Sequence, residues 1–187
     1  MSARSTVRYG YSDYLAIPED SSRRYEIVDG ELHVTAAPRF RHQQVVRGLL
    51  LLLDAAAREH ELGEVVPGPV TVRLRDDLVL EPDIVFVRNE RMAIVDADGR
   101  IQGPPDLVVE VLSPSTRAYD RDLKRKRYLE GGVPEVWIVD PGEGSLEVWT
   151  RGGSEPSRRC RDVVEWAVGE VVAPIDLEGV FRSGNSS

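Results

Sequence analysis

Two short stretches, Ile84 to Val87 and Leu107 to Leu112, constrain this chain most, because apolar residues there fill successive positions instead of alternate ones. Strict alternation marks a strand with one wet face, whereas a short continuous apolar run marks a strand covered on both faces. The chain is therefore expected to build a sheet with cover on each side. Its 187 residues suffice for one domain with a proper core. The expected class is α/β of the mixed α+β kind: a central mixed β-sheet flanked by helices, with additional hairpins toward both termini.

The cover is legible too. From His42 to Glu61, Val45, Val46, Leu49, Leu50, Leu53, Ala56 and Ala57 recur at helical spacing, and Gly63 ends the pattern. Thr116 is placed to cap a second helix that runs to about Glu130 and stops at Gly131 and Gly132. Ser12 can cap a short helix through Leu15. Strands are expected at Tyr25–Asp29 and Glu31–Thr35 around an Asp29-Gly30 turn, at Val65–Val66 and Val70–Leu74 around Pro67-Gly68-Pro69, and from Leu78 through Val87. Further strands are expected at Leu107–Leu112, Pro134–Asp140 and Leu146–Thr150, with residues 89–105 as a connecting excursion. Trp166 with Val163, Val164, Val171 and Val172 predicts a late hairpin over the sheet. The whole reads as a single domain, 1–187: a core over about 25–150, carboxyl-terminal strands over 151–181, and a loose tail from 182 to 187.

Composition excludes several classes. A lone Cys160 rules out an intramolecular disulfide framework and a cysteine zinc site. The run Leu49–Leu53 falls far short of the roughly 20 residues that cross a bilayer, and the amino terminus has no signal-peptide core, so a cytoplasmic protein without membrane contact is expected. Neither a nucleotide-binding glycine loop nor a Ser-His-Asp pattern is visible, so no nucleotide cofactor is expected. The net charge of -8 opposes a polyanion at long range. Locally the sign reverses: between Arg117 and Arg127 six cations face Asp120 and Asp122, a local charge of +4, and Arg39, Arg41 and Arg47 form a second basic group. Of the 24 basic residues 22 are arginine, which reads as compositional bias, but both lysines, Lys124 and Lys126, fall in that one segment.

Asp83 and Glu110 stand inside the two most apolar strands, where an ionised carboxylate is kept only if paired or metal-bound. Either alone could be an edge residue facing solvent; two in neighbouring strands make that reading weaker. Side by side they would offer, with the Val111 carbonyl, an all-oxygen pocket suited to a hard divalent cation such as magnesium. Asp120, Lys124 and Tyr128 are spaced by four and share a helix face. Lys124 could be an ordinary solvated lysine paired with Asp120; with the two acids nearby, it is a candidate to orient water or neutralise charge on a phosphoryl group.

Several ordered motifs together resemble the Uma-type restriction endonuclease family of the PD-(D/E)XK nuclease superfamily. They are Glu81-Pro82-Asp83-Ile84-Val85-Phe86-Val87, the run from Pro105 through Glu110 to Thr116, Asp120 to Tyr128, and Gly132 to Pro141, with Tyr25-Glu26 to Leu32 and Arg41-His42 upstream. The resemblance spans roughly Tyr25 to Thr150 and implies a restriction-endonuclease-like core, DNA as substrate, Mg2+ (or Mn2+ as substitute), and Asp83 and Glu110 as metal ligands. The superfamily's lysine two residues after the glutamate is replaced by Leu112; the family pattern moves it to Lys124, with Tyr128 one turn on. Glu26 or Glu31 could supply a third acid, with Glu26 slightly ahead because it matches the family's opening motif. His42 is either a phosphate or base contact at the helix start or a partly exposed polar residue; Gln44 is a weaker candidate. Arg41, Arg121 and Arg125 are candidate nucleic-acid contacts, and a homodimer is implied. His33 and His60 read as ordinary polar residues. Trp137 and Trp149 could stack on bases, although core packing or a subunit interface suits their apolar neighbours better.

Three functions follow. The leading one is a magnesium-dependent endonuclease in which Asp83 and Glu110 hold the metal and Lys124 assists water. A catalytically silent module of the same fold that binds DNA or a protein partner is the alternative. A two-carboxylate glycosidase ranks last, since it leaves Lys124 and Tyr128 without a role.

Overall fold

In the computed structural model, which describes residues 7–18, 22–114 and 117–182, the chain opens with a short helix, α1 (Tyr11–Leu15), and a hairpin of β1 (Arg23–Val28) and β2 (Glu31–Ala36). Asp29 and Gly30 join these strands with φ of 51° and 78°. Both lie in the left-handed region that a two-residue type I′ turn requires, which is why an Asp-Gly pair sits there. Helix α2 (Phe40–Glu59) begins two residues earlier than expected and buries Val45, Val46, Leu49, Leu53 and Ala57. Next come β3 (Gly63–Pro67), β4 (Val72–Arg75), β5 (Leu78–Leu80) and β6 (Ile84–Arg88).

The single strand expected from Leu78 to Val87 is in fact two, β5 and β6, which belong to different sheets. Pro82 explains the break: it has no N–H to give to a ladder, so the chain leaves one sheet and enters the other around it. The excursion after β6 is more ordered than expected, with a 3-10 turn at Asn89–Ile94 and a short strand β7 (Ile101–Gln102) that pairs in parallel with β4.

Strand β8 (Leu107–Val111) leads to the second helix. This is already helical at Arg117 and Ala118, passes through a π-helical turn (Tyr119–Lys124) and continues as α3 (Arg125–Glu130); the expected cap, Thr116, lies outside the described residues. The remaining strands are β9 (Glu135–Asp140), β10 (Ser145–Thr150), β11 (Arg158–Cys160), β12 (Val163–Val168) and β13 (Val171–Asp176), followed by α4 (Glu178–Arg182). Arg182 therefore closes a helix that was expected to be strand and tail, and residues 183–187 lie outside the described part.

The expected central sheet is six-stranded, ordered β11-β10-β9-β8-β6-β3, with β8 and β9 parallel. The amino-terminal hairpin is part of a second sheet of five strands, β2-β1-β5-β4-β7. One core fills the space between the six-stranded sheet, α2 and the β12–β13 hairpin, where Trp166 meets Phe86 edge-on with ring centroids 4.8 Å apart. The other joins the opposite face to the five-stranded sheet and to Tyr128 of α3. Val109 and Val111 point into the first core and Val108 into the second, so the unbroken apolar pattern has its physical cause: β8 is covered on both faces. Trp137 and Trp149 are both core residues, on opposite faces of this sheet. Among the described residues no helix is long and apolar enough to cross a membrane.

Candidate active site

Asp83 and Glu110 meet across the β6–β8 pair. Ile84 opposes Val109 there, and continuing that register by one residue sets Asp83 opposite Glu110. Alternation puts both on the face that carries Val85 and Val108. The break at Pro82 leaves Asp83 at the very start of its strand, and β8 ends one residue after Glu110, so the two carboxylates open on an end of the sheet. There they line a cavity of about 250 Å3 together with Glu26, His42, Asp120 and Lys124.

Both oxygens of Asp83 are held. Arg24 Nη1 donates to Oδ1 at 2.7 Å, while His42 Nε2 and the Val111 N–H lie 3.1 and 2.9 Å from Oδ2. Burial alone would raise this carboxyl; the hydrogen bond and charge of His42, then Arg24 and the Val111 N–H, outweigh it and hold the pKa down at about 2. Glu110 behaves oppositely. Burial, reinforced by the charges of Asp83, Asp120 and Glu26, pushes it well above the usual carboxylate range despite Lys124.

Lys124 Nζ lies 2.7 Å from Glu110 Oε1 and 2.8 Å from Glu26 Oε1, with Asp120 Oδ1 at 3.7 Å. Burial would lower the lysine, but Glu110 and Glu26 outweigh it and raise its pKa, so the ammonium keeps its proton. Tyr128 Oη donates to Glu110 Oε1 at 2.8 Å. Asp120, Lys124 and Tyr128 are all buried, as a shared helix face requires. The π turn, with its wider i to i+5 bonding, lies where the first two are presented; such turns recur at functional sites.

The structure thus brings Asp83, Glu110, Lys124, Glu26, His42 and Tyr128 into one cluster. Of the two candidate third acids Glu26 lines the cavity, whereas Glu31 is exposed on β2. The candidate nucleic-acid contacts lie elsewhere: Arg41 donates to the Pro141 carbonyl at 3.1 Å, Arg121 pairs with Glu147 at 2.5 Å, and Arg125 stacks over the Trp149 ring at 3.7 Å. His33 packs on Tyr119, and His60 caps the end of α2. Arg24 is the residue that sequence reasoning missed. Its signal was available: it stands two before Glu26 on a strand, and so on the same face.

The donor set fits a hard divalent cation. Four carboxylates, Glu26, Asp83, Glu110 and Asp120, line the cavity beside three permanent cations, Arg24, Arg39 and Lys124, so with all four acids ionised the lining keeps a net negative charge that a cation would offset. All its acidic donors are oxygens, the ligands that Mg2+ takes while keeping several waters. Among the described residues no three carboxylates or imidazoles converge as an all-protein cage, which is consistent with a cation bound through one or two carboxylates.

The architecture is a nuclease-like fold. It matches the crystal structure of a "putative nuclease belonging to DUF820" from Anabaena variabilis ATCC 29413 with a TM-score of 0.72 over 92% of this chain and 97% of that one, at 16% identity. The sequence model of the Uma2 family, described as "Putative restriction endonuclease", matches residues 11–176, and the chain belongs to that family. No curated protein matches it.

Proposed function

We propose that this chain is a metal-dependent endonuclease that hydrolyses phosphodiester bonds in DNA, with Asp83 and Glu110 as metal ligands and Lys124 assisting the attack of water. One observation carries the reading: two strand-end carboxylates and a buried lysine meet in one cavity, with Nζ 2.7 Å from Glu110. A divalent cation there, Mg2+ or Mn2+ in its place, would polarise a phosphoryl oxygen and lower the pKa of a bound water. Lys124, which keeps its proton, serves as a fixed positive charge for the pentavalent phosphorus and not as a base. Tyr128 orients Glu110 through its hydrogen bond, and Arg24 and His42 keep Asp83 ionised and aimed. A homodimer in the cytoplasm belongs to the same reading; Val163 and Val172, 49% and 57% exposed on the outer hairpin, supply apolar surface for self-association.

The test is incubation with supercoiled, linear and single-stranded DNA in Mg2+, Mn2+ or chelator. Cleavage with metal, none in chelator, and loss in Asp83→Asn, Glu110→Gln and Lys124→Met is the expected result. Metal-dependent cutting that survives in the two carboxylate variants overturns the site. The alternative, a silent module that binds DNA or a protein partner, is favoured by one fact: both Asp83 oxygens and Glu110 Oε1 already have protein partners. DNA affinity without cleavage under any metal selects it.

A further inference from the structure

A second and larger cavity, about 670 Å3, adjoins the first and shares Arg24, Ala37 and Pro38 with it. Among apolar side chains its walls carry the aromatic rings of Tyr14 and Tyr25 and the guanidinium groups of Arg23, Arg24 and Arg100, with one carboxylate, Glu81. Tyr14 is fixed by hydrogen bonds to Glu81 Oε1 at 2.7 Å and Thr71 Oγ1 at 3.0 Å. Aromatic faces beside cations are the chemistry that holds an unpaired nucleic-acid strand, whose bases stack while its phosphates meet arginine.

Burial of the neighbouring cluster narrows the ligand further. Asp83 and Glu110 are each 2% exposed and Lys124 is 3% exposed, at the bottom of the smaller cavity. Duplex DNA is stiff over roughly 150 base pairs and carries its phosphates on a wide, regular cylinder, which cannot follow a turn into such a recess. A single strand can bend at each nucleotide. On the reading of the site as a nuclease centre, we propose that the strand which reaches it is unpaired, as in an overhang, flap or gap, and that it lies along the larger cavity with a base on Tyr25 and phosphates at Arg23 and Arg100. Arg24, bonded to Asp83 at the junction, is the last cation such a strand passes before the catalytic cluster.

The test is equilibrium binding in chelator, so that it does not depend on cleavage. Fluorescein-labelled dT15 is titrated with wild-type protein and with Tyr25→Ala, Tyr25→Phe and Arg100→Ser, and folding of each is checked by circular dichroism and melting. Wild type is expected to bind dT15 at least tenfold more tightly than a duplex of the same length. Tyr25→Ala is expected to weaken binding about tenfold, Tyr25→Phe to retain it, and Arg100→Ser to weaken it with a shallower salt dependence. Arg100 lies just past a surface turn, 34% exposed and paired with Asp98, outside both cores, so its variant remains informative if Tyr25→Ala fails to fold. Equal affinity for duplex and single strand, or wild-type affinity in folded Tyr25→Ala and Arg100→Ser, overturns the proposal. Selective dT15 binding with no cleavage in any metal upholds this groove and removes the nuclease reading instead.

Discussion

Lys124 shows most clearly how one residue binds the site together. Its ammonium is buried between Glu26 and Glu110, and removing it strands two carboxylates in a low-dielectric recess. Breaking a buried pair in this way costs about 3–5 kcal/mol. Lys124→Met is therefore expected to lower the melting temperature markedly as well as to abolish cutting, and thermal denaturation measures it. Glu110 is expected to separate stability from activity. Because burial raises its folded pKa, the stability it contributes is present below its ordinary value and lost as pH rises. Metal-free Glu110→Gln should accordingly melt no lower than wild type at pH 8 while cutting nothing. Asp83 has the opposite sign. Its folded pKa of about 2 lies below the ordinary 3.8, so its contribution is present above pH 4 and is lost as the pH falls toward 2. In chelator, melting temperature from pH 5 to 2 should fall more steeply in wild type than in Asp83→Asn; parallel curves refute this pairing.

At the scale of elements, the decisive feature is the crossover between β5 and β6. Gly68, just beyond β3, donates its N–H to the Asp83 carbonyl at 2.7 Å. A Cβ at Gly68 would stand 2.2 Å from the Pro82 carbonyl oxygen, so backbone must shift. Gly68→Ala is expected to cost about 1–3 kcal/mol in denaturant unfolding and to depress cleavage beyond that loss of folded protein, because the displaced segment carries Asp83. Most elements were legible: α2, the Asp29-Gly30 hairpin and the β9–β10 hairpin follow from periodicity and turn chemistry. The division of Leu78 to Val87 was not, because both halves have strand composition and only the sheet each joins distinguishes them. The π turn was hidden for a similar reason, since an i, i+4 spacing suits an α-helix equally well.

For the whole molecule, charge is arranged differently from its order along the chain. The basic run from Arg117 to Arg127 is largely neutralised by acids from elsewhere: Arg117 pairs with Asp140 and Glu143, Arg121 with Glu147, and Arg127 with Asp29 and Glu130. Its local charge of +4 therefore does not stand free as a phosphate patch. Arg39 is left exposed on the cavity wall, with Arg41 and Arg47 exposed further along the same helix. A log Kd against log salt plot for DNA is expected to have a shallow slope, that of roughly three phosphate contacts, and the triple substitution of these arginines by serine should flatten it further. A slope twice as steep would return the Arg117–Arg127 run to the interface.

The sequence by itself determined the class of fold and the two-sided cover of its central strands, and it marked Asp83 and Glu110 as charges inside apolar runs and Asp120, Lys124 and Tyr128 as one helix face, which the family resemblance joins into a candidate site. These depend on local pattern: apolar periodicity, charge inside an apolar run, and helical spacing. Tertiary structure alone decided that Glu26 and not Glu31 joins the cluster, that Arg24 and His42 hold Asp83, and that a second cavity opens beside it. Those facts depend on which strand ends meet across the gap between two sheets, and contacts between residues so distant along the chain leave no periodic trace in it.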